Sequence, residues 1–462
     1  MHASSSRRSL RGSETRPIVH DRRPVGIASF VAGIVGSGEA ETRSGGEEDD
    51  VSSTFEKKLD NYADLAIRIG VALQRDQRLL LRAPVEAAPL ARRIVEKAYQ
   101  AGARLVEVLW GDDATNLARF QHAPRDSFDE IPTALADALL KGSARGDAVL
   151  SVYASDPTLL KDQDPDIVAK TQKDMQSYLE PFMKRVGTKE INWSIVAAPI
   201  ESWAAQVFPD APGSEAVDRL WDAIFRICRA DRDDPISAWK EHVAKLRERR
   251  TLLNRKQYAA LKYHAPGTDL TVGLPEKQSW MGGESHTLEK EIPFIANIPT
   301  EEVFAMPHKD RVDGVVRATK PLNYAGVLIE DFELRFQDGK VVEMKAAKNE
   351  AVLRKLIETD EGAARLGEVA LVPHSSPISQ SGLLFFNTLY DENASCHLAL
   401  GRAYRVCVEG GGKMSDEEFS AAGGNMSLTH VDFMIGSGEM DIDGVTRDGA
   451  AEPLMRGGEW VS

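Results

Sequence analysis

Cysteine is scarce in this chain: Cys228, Cys396 and Cys407 are its only three in 462 residues. Three cannot staple a fold of this size, which points to a reducing compartment, the cytoplasm. None belongs to a CxxC pair, which argues against a thiolate zinc site. No run of about 18 apolar residues occurs, so no transmembrane helix is expected. The first strand-like segment has no GxGxxG after it, so a dinucleotide-binding reading lacks its motif. Positive charge is also in deficit. A net charge of -14 and a pI near 5.3 argue against a nucleic-acid or anionic-membrane partner. No internal repeat is visible.

What remains is ordinary globular usage, with 42% apolar and 28% charged residues, in a chain long enough for two domains. Residues 1–52 stand apart. They are rich in Ser, Arg and Gly and end in the acidic run Glu47-Glu48-Asp49-Asp50. Such composition does not bury enough apolar surface to offset ordering entropy. A disordered extension or an early start codon is expected. The alternative is a processed signal in which Arg22-Arg23 precedes "VGIASFVAGIVGSG".

From about Phe55 the pattern becomes regular. Leu59, Tyr62, Ala66, Ile69 and Leu73 fall on one helical stripe. "RLLLRAP" (78–84), "RLVEVLW" (104–110), "DAVLSVYAS" (147–155) and "INWSIVAAP" (191–199) read as buried strands with helical patterns between them. One of those helices, 84–103, should end at Gly102. Alternating strand and helix predicts a parallel-sheet α/β domain over 53–250. A charged helical stretch (237–256) separates the halves. Beyond it, "DFELRFQDGKVVEMKA" alternates around Asp338-Gly339, a type I′ hairpin signal. Phe332, Leu334 and Phe336 should share one face. Residues 251–462 therefore read as a mixed-sheet α+β domain.

Four segments of this second half set acids or histidines among apolar residues: "NIPTEEVFAMPH" (297–308), "RLGEVALVP" (365–373), "LYDENASCHLALGRAY" (389–404) and "THVDFMI" (429–435). Each alone has an ordinary explanation. Glu301-Glu302 suits a solvated turn, Glu368 a strand-end ion pair, His397 a hydrogen-bonded core histidine and Tyr404 core packing. His430 and Asp432 are different, because two ionisable groups on one apolar strand face are costly unless paired or metal-bound. Taken together, acids and imidazoles without thiolates suit Zn²⁺, Mn²⁺ or Co²⁺. The surplus of carboxylates favours two cations about 3.5–4 Å apart over one.

These four segments, in this order and spacing, resemble the M29 metallopeptidase family, the thermophilic aminopeptidase T and AmpS group. The resemblance runs from about Phe55 to Gly444. It implies metal ligands at Glu302, Glu368, Glu392, His397, His430 and Asp432, with Glu302 rather than Glu301 as the acid of "PTEEVF". It implies two divalent ions per subunit (Zn, Co or Mn) sharing a bridging hydroxide, and Tyr404 donating to the oxyanion. Glu302 or Glu392 would be the proton shuttle. The implied activity is release of N-terminal residues from short peptides with a free amine, by a homodimer. Residues 1–52, the tail after about Gly444 and the pair Ala305-Met306 depart from the family pattern. Another metal-dependent peptidase or amidase, or a metal-stabilised binding protein without turnover, remain as alternatives.

Overall fold

The apolar runs of the first half pair into a four-stranded parallel sheet, ordered Leu105–Gly111, Arg78–Pro84, Ala148–Tyr153, Trp193–Ala197. Its central strands are continuous hydrophobes because both faces are covered. Leu79 and Leu81 point into the main core of this half. Leu80 and Val149 face a smaller cluster containing Leu139 and Phe182, from the helices Ala134–Arg145 and Glu180–Gly187. The helix Ala88–Gln100 follows a short turn after the first strand, and Gly102 ends it with a φ of 95°.

The computed structural model describes residues 46–154, 156, 159–324 and 327–461, with no side chains for 46–53. The expectation for the N-terminal extension lies outside the described residues up to position 45. The helix Gly46–Leu65 takes in the acidic run and delivers Leu59 and Tyr62 to the core. A π-helical turn, Ala66–Gly70, follows it. The wider turn shifts the stripe: Ile67 and Val71 are fully buried, whereas Ile69 and Leu73 are only partly so.

In the second half a nine-stranded antiparallel sheet is built largely from consecutive hairpins. Asp338 (φ 49°) and Gly339 (φ 78°) form the tight turn between the strands Val327–Gln337 and Lys340–Lys348. A Cβ on Gly339 would lie 1.8 Å from the Lys309 carbonyl, so this position requires glycine. Phe332, Leu334 and Phe336 turn inward together. Against this sheet packs a four-stranded antiparallel sheet, ordered His430–Met434, His397–Gly401, Leu366–Leu371, Val303–Ala305. The helix Pro235–Lys256 joins the halves: Trp239 and Val243 belong to the first core, Leu246 and Leu253 to the second. Residue 250 lies within this helix. Among the described residues no helix is long and apolar enough to cross a membrane.

Candidate metal centre

The small sheet gathers the acids and histidines by register. Glu368 and Asp432 both pair with Ala399, one from each side. His430 pairs with Gly401, and His397 with Ala370 and Met434. Phe304 also pairs with Ala370, which puts Glu302, two residues earlier, on the same side. Because side chains alternate along a strand, Glu302, Glu368, His397, His430 and Asp432 all share one face. Ala399, in the middle of that face, keeps the space between the carboxylates open.

Two compact groups result, Glu302–Glu368–His397 and Glu368–His430–Asp432. Glu368 belongs to both. Its Oε1 lies 3.5 Å from His397 Nε2 and its Oε2 lies 3.8 Å from His430 Nε2. His397 Nε2 also lies 3.2 Å from Glu302 Oε2, and His430 Nε2 lies 3.6 Å from Asp432 Oδ1.

Backbone carbonyls orient both imidazoles. His397 Nδ1 sits 3.1 Å from Ser395 O, and His430 Nδ1 sits 2.7 Å from Arg402 O. An Nδ1–H donated to each carbonyl leaves the Nε2 lone pairs facing carboxylate lone pairs. That arrangement is repulsive unless a proton or a cation lies between. Accordingly, Glu302 Oε2 and Asp432 Oδ1, one oxygen in each group, are buried with no hydrogen-bond partner among the described residues. Donor types and orphaned oxygens fit divalent-cation binding.

The electrostatics of the ion-free cluster agree. Burial raises the Glu368 carboxyl to about 7, helped by Asp432 and Glu302 and opposed by His397. Burial, then the charges of Glu302 and Asp432, push Glu392 well above the usual carboxylate range. Burial works against a charged His397, but Glu302 and Glu368 overcome it and hold the imidazole well above its ordinary value. Acids raised and a histidine raised together mean that the cluster holds protons where a cation would displace them.

Glu392 and Tyr404 lie outside both compact groups. Glu392 starts a short 3₁₀ turn ahead of the His397 strand, and its carboxylate feels the charges of both groups. Tyr404 follows the same strand, its ring 4.7 Å from that of His430 and 6.3 Å from that of Phe304. It is 41% exposed and bears no packing load of the kind a core tyrosine would. Burial of the hydroxyl and the nearby acids raise its pKa, so it stays a proton donor. Glu302, Glu368, Glu392, Tyr404, His430 and Asp432 line one cavity of about 450 Å³.

Glu301 goes the other way. Its oxygens accept from Arg229 at 2.7 and 3.1 Å on the opposite side of the strand. Both members of the Glu301-Glu302 pair are buried, so neither lies in the solvated turn their letters suggest. Asp391 serves the loop before it, accepting from the amides of Phe385 (2.7 Å) and Asn387 (2.9 Å). Sequence reasoning missed the carbonyls of Ser395 and Arg402, which no residue letter reveals. It also missed Gly367, where a Cβ would meet the carbonyls of Gly401 and Arg402 at 2.4 Å. That glycine lets the Arg402 segment, which orients His430, approach the Glu368 strand.

Comparison with known proteins identifies the family. Residues 55–460 match the family model described as thermophilic metalloprotease (M29). The chain is 49% identical over 407 residues to aminopeptidase 2 of Geobacillus stearothermophilus, covering 88% of this chain and 98% of that one. It is 46% identical over 408 residues to aminopeptidase AmpS of Bacillus subtilis (strain 168), covering 88% and 99%. The solved structure of wild-type AmpT from Thermus thermophilus superposes with a TM-score of 0.82 at 45% identity, covering 88% of this chain and all of that one. The chain belongs to the M29 family of thermophilic metalloproteases.

Proposed function

We propose that the protein is an aminopeptidase that releases N-terminal residues from short peptides with two divalent ions held by Glu302, Glu368, Glu392, His397, His430 and Asp432. The observation that carries this reading is Glu368, whose two oxygens face two different histidines. A carboxylate shared between two ligand groups is what a dinuclear site requires to offset repulsion between its cations. The names of the relatives, aminopeptidases at 46–49% identity, support the peptide-terminus specificity.

When bound, the ions supply Lewis acidity toward the scissile carbonyl and lower the pKa of the attacking water. The chain contributes the rest. The Tyr404 hydroxyl donates to the oxyanion, a charge fully developed only beyond the ground state. Glu302 is our choice for the carboxylate that takes the proton from water and returns it to the leaving amine, with Glu392 as the second candidate. Phe294, Phe304 and Trp193 line the cavity and limit access of bulk water.

We extend the proposal to a homodimer in the cytoplasm. The three buried, unpaired thiols accord with a reducing compartment. The division into a 1–52 extension, a 53–250 domain and a 251–462 metal-binding domain is kept as part of it; light scattering and limited proteolysis test oligomer and boundaries.

The deciding experiment pairs metal analysis with aminoacyl-p-nitroanilides and their N-acetyl counterparts. About two ions per chain and turnover of the free-amine substrates alone are expected. Equal turnover of the blocked substrates would mean another amidase or peptidase. No turnover after addition of Co²⁺, Zn²⁺ or Mn²⁺ would leave only a metal-stabilised binding protein.

A further inference from the structure

Among the described residues, the cavity that contains the acidic cluster has one cation with no acidic partner. Lys189 enters it from the loop between the helix Glu180–Gly187 and the strand Trp193–Ala197. Its backbone is pinned: the amide donates to Val186 O at 3.1 Å and the carbonyl accepts from Leu288 N at 2.9 Å. Its φ is 59°, a left-handed conformation that a non-glycine residue adopts at a cost of about 1 kcal/mol. The loop therefore holds a strained position and aims a long cationic side chain into the cavity.

No carboxylate among the described residues lies within ion-pairing distance of the ammonium. Burial lowers its pKa, and the charge of Arg250 lowers it further. The other cation of this wall is committed. Arg405 pairs with Asp416 and donates to the Met414 carbonyl at 3.0 Å. The rest of the cavity lining is largely apolar, including Trp193, Met281, Phe294 and Phe304. The cavity thus offers an ammonium with no carboxylate partner among the described residues, in a largely apolar lining. A short peptide supplies the complementary charge in its carboxylate.

We propose that Lys189 is a specificity residue that receives a carboxylate of the peptide substrate, so that the enzyme prefers short peptides ending in a free acid. This rests on the aminopeptidase reading above and adds a second anchor to it. A charge-assisted hydrogen bond in a partly buried site changes affinity by roughly tenfold or more. The carboxylate is either the C-terminus or an acidic side chain, and the substrates can tell these apart.

The test uses the metal-loaded full chain with di-, tri- and tetrapeptides, each as free acid and as C-terminal amide, plus amides with a terminal glutamate. At one or more lengths the acid should have a KM about tenfold or more below that of its amide, with kcat little changed. Recovery by the glutamyl amide shows that an acidic side chain can replace the C-terminal carboxylate; no recovery confines the contact to the C-terminus. In Lys189→Met the acid–amide ratio should fall to about one, and Lys189→Arg should restore much of it. Indistinguishable acids and amides at every length, or discrimination that survives in Lys189→Met, would overturn the assignment. An aminoacyl-p-nitroanilide, which has no carboxylate, separates the two readings. Its turnover leaves the aminopeptidase reading standing when Lys189 fails, and absence of all turnover removes both.

Discussion

Arg229 forks onto Glu301, its Nη1 and Nη2 lying 2.7 and 3.1 Å from the two carboxylate oxygens, directly behind the strand face that carries Glu302. His242 completes this support, with Nδ1 3.3 Å from Arg229 and Nε2 2.7 Å from the Thr300 carbonyl. Two adjacent glutamates are thereby separated. One anchors the segment to the first half of the chain, and the other faces the candidate metal centre.

Removing Arg229 leaves Glu301 buried and uncompensated. Arg229→Ala should lower stability by about 3 kcal/mol or more. Arg229→Lys should recover only part, because an ammonium lacks the bidentate fork. Chemical denaturation measures both. Wild-type stability in Arg229→Ala would demote the pair to decoration.

Glu368 and His430 differ in reach. Glu368→Gln alters both ligand groups, so ion content should drop for both sites and hydrolysis should be abolished. His430→Ala touches one group, so about one ion per chain should remain, again with activity abolished. Elemental analysis and circular dichroism on the same samples check ion loss without unfolding. Full activity with both ions retained in Glu368→Gln would dismantle the dinuclear proposal.

Ala399 is the spacer between Glu368 and Asp432. Ala399→Leu fills the gap between them, with an overpacking cost of about 1–3 kcal/mol. Ion affinity should fall much more than secondary structure. Calorimetric titration with Zn²⁺ or Mn²⁺ is the readout, and unchanged affinity would show that the gap is not where ions sit.

Tyr404 is placed by its contacts with His430 and Phe304 and carries little packing. Tyr404→Phe should lower kcat by roughly 10²–10³ while leaving KM and ion content near wild type. An unchanged kcat would reduce it to a cavity-lining ring.

The ion-free cluster makes stability depend on pH. Glu368 is raised from 4.5 to about 7, Glu392 is raised well above its ordinary value, and His397 is raised well above 6.5. All three bind protons more tightly when folded than when unfolded. Their contribution is complete below the unfolded pKa values and is lost as pH rises through the folded ones. Chelator-treated protein should therefore lose stability as pH rises from about 5, with the Glu368 contribution gone by about pH 7. Cations replace those protons, so the gain in Tm on adding metal should grow over the same interval. A metal-induced gain that shrinks with pH would contradict this linkage.

Much of this was open to a reader of the letters. The strands of the parallel sheet begin and end within two residues of their apolar runs, because a sheet covered on both faces demands unbroken hydrophobes. Asp338-Gly339 announced its hairpin, since only residues tolerant of positive φ close so tight a turn. The π turn at Ala66–Gly70 was not announced, because tertiary packing, not local preference, widened the helix there. Glu301 and Glu302 looked alike, and only their partners on opposite faces distinguish them.

The sequence by itself determined which side chains are candidates for the chemistry and which family the chain joins, since residue type and order survive in any conformation. Only the tertiary structure decided that Glu368 stands between two histidines, that Ala399 spaces two carboxylates, and that Lys189 shares their cavity. Those relations depend on antiparallel register and on a loop from the other half of the chain, and neither is encoded in the spacing along a single strand.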